Sequence, residues 1–287
     1  MAGPRPEAAG GTSAEARERV LVVGSGPNGL AAAVAMARAG FRVLVLEAQD
    51  QLGGGTRSEP LTLPGFTHDV CSAVHPMAAA SPFFRSLPLA AHGLAWVQPP
   101  APLAHPFDDG TVALLERSLE ATTATLDRRD ARAYTSLMEP FVEEWQGLFA
   151  DALGPLLHVP RHPLLMLRLA PYGVRSAAGL IESRFQGGRT RALFAGIAAH
   201  SLLPLETPPT AAIGIMLAVA GHAVGWPMAR GGSQSIADAL ASILRAHGGE
   251  VVTNAPVHSL DELAPSAAVL LDLTARQVLR VDRKSVV

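Results

Sequence analysis

The run RVLVVGSGPNGLAAAVAMARAGFRVLVLEA, Arg19 to Ala48, constrains the fold more than any other part of the chain. Arg19 to Val23 is an apolar run of strand length, and a glycine-punctuated turn follows it. An Ala-rich segment ending near Gly40 has the composition of a helix, and Arg42 to Leu46 is a second apolar strand. Strand, helix and strand in that order make one βαβ unit. Gly24, Gly26 and Gly29 have the G-x-G-x-x-G spacing, in which the three glycines serve a tight turn, close backbone approach to a pyrophosphate, and close packing of helix on sheet. Pro27 at the helix start sacrifices no needed donor, and the small residues Ala31 to Ala33 let the helix lie near the sheet. Glu47 closes the second strand about 20 residues after the turn, where a carboxylate accepts hydrogen bonds from a ribose diol and repels a 2′-phosphate. A tight turn in an unrelated α/β protein is the alternative, but the flanking strand and helix and the well-placed acid favour a dinucleotide site. That fingerprint does not separate NAD from FAD.

The next stretch, QLGGGTRS, bears on the choice. An ordinary NAD domain continues from its acid into another crossover, whereas here Gly53, Gly54 and Gly55 stand beside Thr56, Arg57 and Ser58. Such a loop can present several amides to phosphate or ribityl oxygens, with the Arg57 guanidinium as a charged donor. A plain glycine turn with a surface arginine is the alternative.

A chain of 287 residues buries roughly 75% of its unfolded surface, enough for one large domain or a domain with an insertion. With 23 basic against 25 acidic side chains and only 17% charged residues, no global field attracts polyanions, and nucleic acid is not expected as a partner. The single cysteine, Cys71, leaves no intramolecular disulfide and no cysteine metal cluster, which fits a reducing compartment and a cytoplasmic location. His68, Asp69, Cys71 and His75 match no metal-ligand spacing, so no metal is expected. Residues 1–18 read as a flexible leader without the apolar core of a signal peptide. The stretch from Ala211 to Trp226 is interrupted by His222 and falls short of the roughly 20 apolar residues of a spanning helix, so it reads as a buried helix. Peripheral contact with one membrane face is expected only if the substrate is a lipid, through apolar stretches such as HPLLMLRLA.

The returning segment, WPMARGGSQSIADALASILRAHGGEVVTN, is a second αβ unit. Ser233 after Gly231 and Gly232 is placed to cap a helix whose apolar stripe is Ile236, Ala239, Leu240, Ile243 and Leu244; Gly248 and Gly249 end it before the strand EVVTN. Between the two units, short strands are expected around the Asp109-Gly110 turn, and Ser118 to Val224 reads mostly as helices broken by prolines. The apolar faces of those helices read as core before substrate channel.

These motifs together resemble the flavin amine oxidase and phytoene desaturase superfamily, and phytoene desaturase-like proteins in particular. The resemblance also rests on LPGFTHDVCSAVHP, in which Asp69 matches the family's acid and Cys71 stands in a glycine position. It runs from Arg19 to about Arg280 and is weakest in the middle. It implies an α/β fold: a Rossmann-like FAD-binding domain with an inserted, mostly helical substrate domain. The expected layout is a leader (1–18), the first part of the FAD domain (19–105), the insertion (106–227), the returning part (228–281) and a tail (282–287). FAD is the implied cofactor. The implied contacts are the first glycine turn with Asn28, Glu47 with Ala48, the loop from Gly53 to Ser58, and Val257, whose backbone lies at the adenine. The strand end near Asp272 and Thr274 approaches the cofactor. The implied reaction is transfer of a hydride from substrate to the flavin N5, with the cofactor carrying the chemistry. The first substrate class is a small lipophilic, isoprenoid-like molecule that is desaturated, with an unidentified electron acceptor reoxidising the flavin. An amine oxidase and a nonenzymatic flavoprotein are the alternatives. No catalytic acid/base pair stands out, and His75 is the single candidate for tuning the flavin or positioning substrate. The family also has a later glycine-rich segment that completes the FAD site. The chain is therefore expected to be an N-terminal portion, inactive alone, with DRKSVV (282–287) a non-native tail of the kind a sequencing adapter encodes.

Overall fold

The computed structural model describes residues 18–155 and 157–282. The expected leader, except Glu18, and the expected tail, except Asp282, lie outside the described residues.

The chain divides into two units. The described parts of the first are residues 18–73, 88–95 and 229–282; the second is Val74–Leu87 and Trp96–Met228. The second unit opens at Val74, ahead of the boundary expected near residue 106. The reason is packing: Ala80, in the short helix Pro76–Ala80, is fully buried in that unit's apolar cluster, with Met77 packed against it.

In the first unit, β1 (Arg19–Val23) runs into α1 (Pro27–Arg38) and β2 (Arg42–Leu46). After β2 come two short antiparallel strands, β3 (Ser58–Glu59) and β4 (His68–Asp69). The returning segment supplies α2 (Gln234–Ala246), β5 (Glu250–Val252), β6 (Ala268–Leu271) and α3 (Ala275–Val281). A four-stranded sheet forms in the order β6-β1-β2-β5, and every neighbouring pair is parallel. Val20 to Val23 are all buried, as a central parallel strand covered on both faces requires. Each contributes roughly 1.5–3 kcal/mol of transfer free energy. Helix α1 begins with Pro27 at its first position, and the chain leaves it through Gly40 at φ +92°. Helix α2 buries its expected stripe from Ile236 to Leu244 and packs against α1. Ser233 does not cap it, for reasons that lie in the glycine-triplet loop described below.

In the second unit, the strands Leu103–Pro106 and Val112–Leu115 pair antiparallel around Gly110 at φ +79°, as expected for the Asp109-Gly110 turn. Helices follow, among them Arg128–Glu143, Pro163–Gly173, Gly188–Ala199 and Thr210–Ala223. The prolines do not all break them: Pro163 opens a helix, but Pro140 and Pro171 lie inside helices. Both sit in the last turn, so each costs one i→i−4 hydrogen bond close to where its helix ends. The helix Thr210–Ala223 is buried at Ala211, Ile215, Ala218 and Val219. Among the described residues, no helix is long and apolar enough to cross a membrane. One polar pair is sealed into this core. Tyr134 Oη and His222 Nε2 share a hydrogen bond of 3.0 Å, while His222 Nδ1 makes no well-formed hydrogen bond among the described residues. Burial pushes the His222 pKa down to about 4, against a weaker opposing pull from the backbone at Arg117 and Glu116. Burial likewise raises Tyr134.

Candidate nucleotide site

Gly24 follows β1, Glu47 follows β2 and Asp272 follows β6, so the loops at the carboxyl ends of three adjacent strands converge. They frame a cleft of about 670 Å³, where open parallel sheets bind ligands. Gly24 turns the chain out of β1 at φ +100°, a conformation that disfavours any side chain. Its N–H donates to Leu46 O at 2.8 Å, tying the turn to the end of β2.

Glu47 is 8% exposed and held from several sides. Its Oε2 accepts from Ser25 N–H at 2.9 Å and from the Ser25 hydroxyl at 2.6 Å, and its Oε1 accepts from Gln49 N–H at 2.9 Å. Its own N–H donates to Val252 O, and its carbonyl accepts from Ala255 N–H, both at 2.8 Å. A carboxylate offers about four lone-pair positions, so these three bonds orient the group and leave Oε1 able to accept from a ligand hydroxyl. Sequence reasoning missed Ser25. Its signal was a hydroxyl between two motif glycines with a buried acid at the next strand end.

The glycine triplet does two things the sequence did not separate. Gly54 and Gly55 line the cleft, whereas Gly53 is buried and donates its N–H to Ser25 O at 3.0 Å. Gly54 adopts φ +53°, and a methyl group there would stand 3.0 Å from Gly26 Cα. The two glycine loops thus meet backbone to backbone. The rest of the loop braces it. The Thr56 hydroxyl donates to Gly53 O at 2.8 Å. Arg57 donates from Nε to Gly54 O at 3.2 Å and lies 3.7 Å from Glu59, so its guanidinium faces its own loop. The Ser58 hydroxyl donates to Asp69 Oδ1 at 2.6 Å and accepts from Gln234 N–H at 3.0 Å. Asp69 Oδ1 also accepts from Ser233 N–H at 2.7 Å. Ser58 and Asp69 therefore satisfy two of the orphan donors at the start of α2, those of Gln234 and Ser233. The Ser233 hydroxyl, expected to cap that helix, instead donates to Ser72 O at 2.7 Å.

Of the residues expected at the cofactor, the cleft brings together Gly24, Gly26, Pro27, Glu47, Ala48, Gly54, Gly55 and Val257. Asn28 is exposed on the first turn of α1, and Gly29, Gly53, Thr56, Arg57 and Ser58 stand outside the lining. Thr274, Gln277 and Arg280 add a polar wall, of which the sequence pointed only to Thr274. His75 belongs to the helical unit, where its N–H donates to Pro227 O at 2.9 Å and its ring centroid lies 6.0 Å from Trp96. Its neighbours in sequence are engaged separately: His68 Nε2 is 2.6 Å from Thr62 Oγ1, and the Cys71 thiol is exposed.

The lining suits the adenosine diphosphate end of a flavin dinucleotide. Glycine backbone without side chains faces the space, a fixed carboxylate stands at the end of β2, and Ala255, Pro256 and Val257 line the same cleft.

Comparison with known proteins gives an independent line. The profile of flavin containing amine oxidoreductases matches residues 28–287. A limonene dehydrogenase component of Castellaniella defragrans is 30% identical over 124 residues, 43% of this chain and 22% of its own length. A 4,4'-diapophytoene desaturase of Methylomonas sp is 24% identical over 253 residues, 85% of this chain and 48% of its own. The chain thus spans at most about half the length of these curated relatives. Among solved structures, an oxidoreductase from Methanosarcina mazei superposes with a TM-score of 0.63 at 17% identity, covering 94% of this chain and 62% of that one, which shows a shared fold.

Proposed function

Because this chain belongs to the family of flavin containing amine oxidoreductases, we propose that its cleft holds the adenosine diphosphate end of FAD and that it serves desaturation of a lipophilic, isoprenoid-like substrate. The observation that carries the cofactor assignment is the convergence of Glu47, fixed by Ser25, with the two glycine loops at the carboxyl ends of β1 and β2. Bound flavin would supply the acceptor for a hydride from substrate carbon. The protein's part is binding. Glu47 Oε1 accepts from the ribose hydroxyls, the Gly26 backbone and the positive end of the α1 dipole face the diphosphate, and Ala255 to Val257 cover the adenine. A 2′-phosphate is repelled by Glu47, so the cleft selects against NADP-type nucleotides.

The substrate class draws support from the two relatives, whose names specify limonene and diapophytoene, both isoprenoid hydrocarbons. The test is anaerobic bleaching of the flavin band after reconstitution with FAD, comparing a polyene or terpene hydrocarbon with a primary amine. Bleaching by the hydrocarbon supports the reading. Bleaching by the amine alone replaces it with amine oxidation, and bleaching by neither, in a chain that binds FAD, takes desaturation away from this chain on its own.

A further inference from the structure

Asp272 stands at the end of β6 with its N–H donating to Val23 O at 2.8 Å, so the sheet itself fixes its backbone. Its side chain reaches across to the glycine turn, where Oδ2 accepts from Gly29 N–H at 2.9 Å. That N–H is one of the unpaired donors in the first turn of α1. The turn is shaped around this carboxylate. A methyl group on Gly26 would lie 2.6 Å from Asp272 Oδ2, and one on Gly29 would lie 2.7 Å from the same atom. On Gly24 it would lie 2.3 Å from Asp272 O. Asp272, 243 positions after Gly29, thus crowds all three motif glycines, and at Gly29 the Gly24 carbonyl, 2.5 Å from such a methyl, crowds it as well.

Two consequences follow for a ligand. A carboxylate at Gly29 N–H takes one of the donors a helix start offers to an anion. The diphosphate is then confined to the edge formed by Gly24, Ser25 and Gly26, next to Gly54. The carboxylate also puts negative charge beside that edge, so its presence has to be offset by what it holds in place. We propose that Asp272 is a positioning residue of the nucleotide cleft: it clamps the first turn of α1 to the end of β6, so that the glycine turn keeps the shape that accepts the diphosphate. The inference rests on the reading of the cleft as a nucleotide site and deepens it.

The charge and the clamp are separable by substitution. Asp272→Asn removes the charge but keeps an oxygen that accepts from Gly29 N–H, while Asp272→Ala removes both. Comparing the two uncharged variants isolates the clamp, and comparing wild type with Asp272→Asn isolates the charge. The measurement is calorimetric titration of ADP into the wild-type chain and the two variants, with far-ultraviolet circular dichroism verifying the fold. The clamp predicts that Asp272→Asn binds ADP at least as tightly as wild type and that Asp272→Ala binds about tenfold more weakly than Asp272→Asn, the loss expected when a positioned backbone donor goes unpaired. Hydrogen exchange at Gly29 rises in Asp272→Ala and not in Asp272→Asn. Equal affinity in the two uncharged variants, or tighter binding by Asp272→Ala than by Asp272→Asn, overturns the proposal and makes the carboxylate merely an unfavourable charge. Absence of ADP binding by the wild-type chain sinks the nucleotide reading itself, an outcome that no pattern among the variants imitates.

Discussion

Both units bury polar side chains, but they use them differently. In the helical unit buried acceptors are spent inside the fold. Asp130 is 1% exposed and accepts from Gln186 N–H at 2.9 Å and Gly187 N–H at 2.7 Å, just ahead of the helix Gly188–Ala199. Asp151 does the same for Arg161 and His162. In the nucleotide unit Glu47 and Asp272 also accept from backbone N–H groups, yet both line open space. The same chemistry closes a helix end in one unit and builds the wall of a cleft in the other. What separates a structural acid from a ligand-facing one here is whether its remaining lone pairs meet protein or space.

Asp130→Ala is the strongest way to break the helical half of this contrast. Losing two charge-assisted bonds to part-buried backbone donors costs about 3 kcal/mol. Urea denaturation followed by circular dichroism reads that loss, while ADP affinity of the folded fraction stays within twofold of wild type. A parallel loss of ADP affinity would contradict the separation of roles.

His222 sharpens the same half through pH. Its folded pKa, about 4, lies below the ordinary value of 6.5, so the unfolded chain takes up the proton first. The stability tied to its neutral form is complete above pH 6.5 and drains away as pH falls from 6.5 toward 4, by roughly 3 kcal/mol in total. Replacing the pair together, Tyr134→Phe with His222→Leu, removes that contribution. The difference in unfolding free energy between wild type and double variant is expected to change with pH across this window and to be flat above pH 7.

The smallest effect is expected at Arg57. Its guanidinium is turned to Gly54 O and Glu59, so Arg57→Gln changes ADP affinity by less than about twofold, well under the 1.4 kcal/mol of a tenfold change. A loss of tenfold or more would restore the reading of Arg57 as a phosphate donor.

The first βαβ unit was fully legible because its signals are local: apolar runs of strand length, a glycine turn, an Ala-rich helix and an acid at the strand end. The stripe on α2 and the turn at Gly110 were legible for the same reason. What escaped the sequence were side chain to backbone contacts between distant segments. Ser58 meets Gln234 across 176 residues and Asp69 meets Ser233 across 164, and no periodicity encodes such pairs. Ser58 and Arg57 looked like ligand contacts because their loop holds exposed amides, but a side chain's direction depends on the neighbour it finds. The mid-chain boundary was missed because Pro76–Ala80 is too short to announce which core it joins.

The claim that Glu47 and the two glycine loops form the adenosine diphosphate site is tested most directly by titrating ADP into the wild-type chain and into Glu47→Ala. The structure predicts that wild type binds ADP and that the variant binds at least tenfold more weakly, about 1.4 kcal/mol or more, with the circular dichroism spectrum unchanged. Equal affinity in the two proteins, or no binding by wild type, would contradict it.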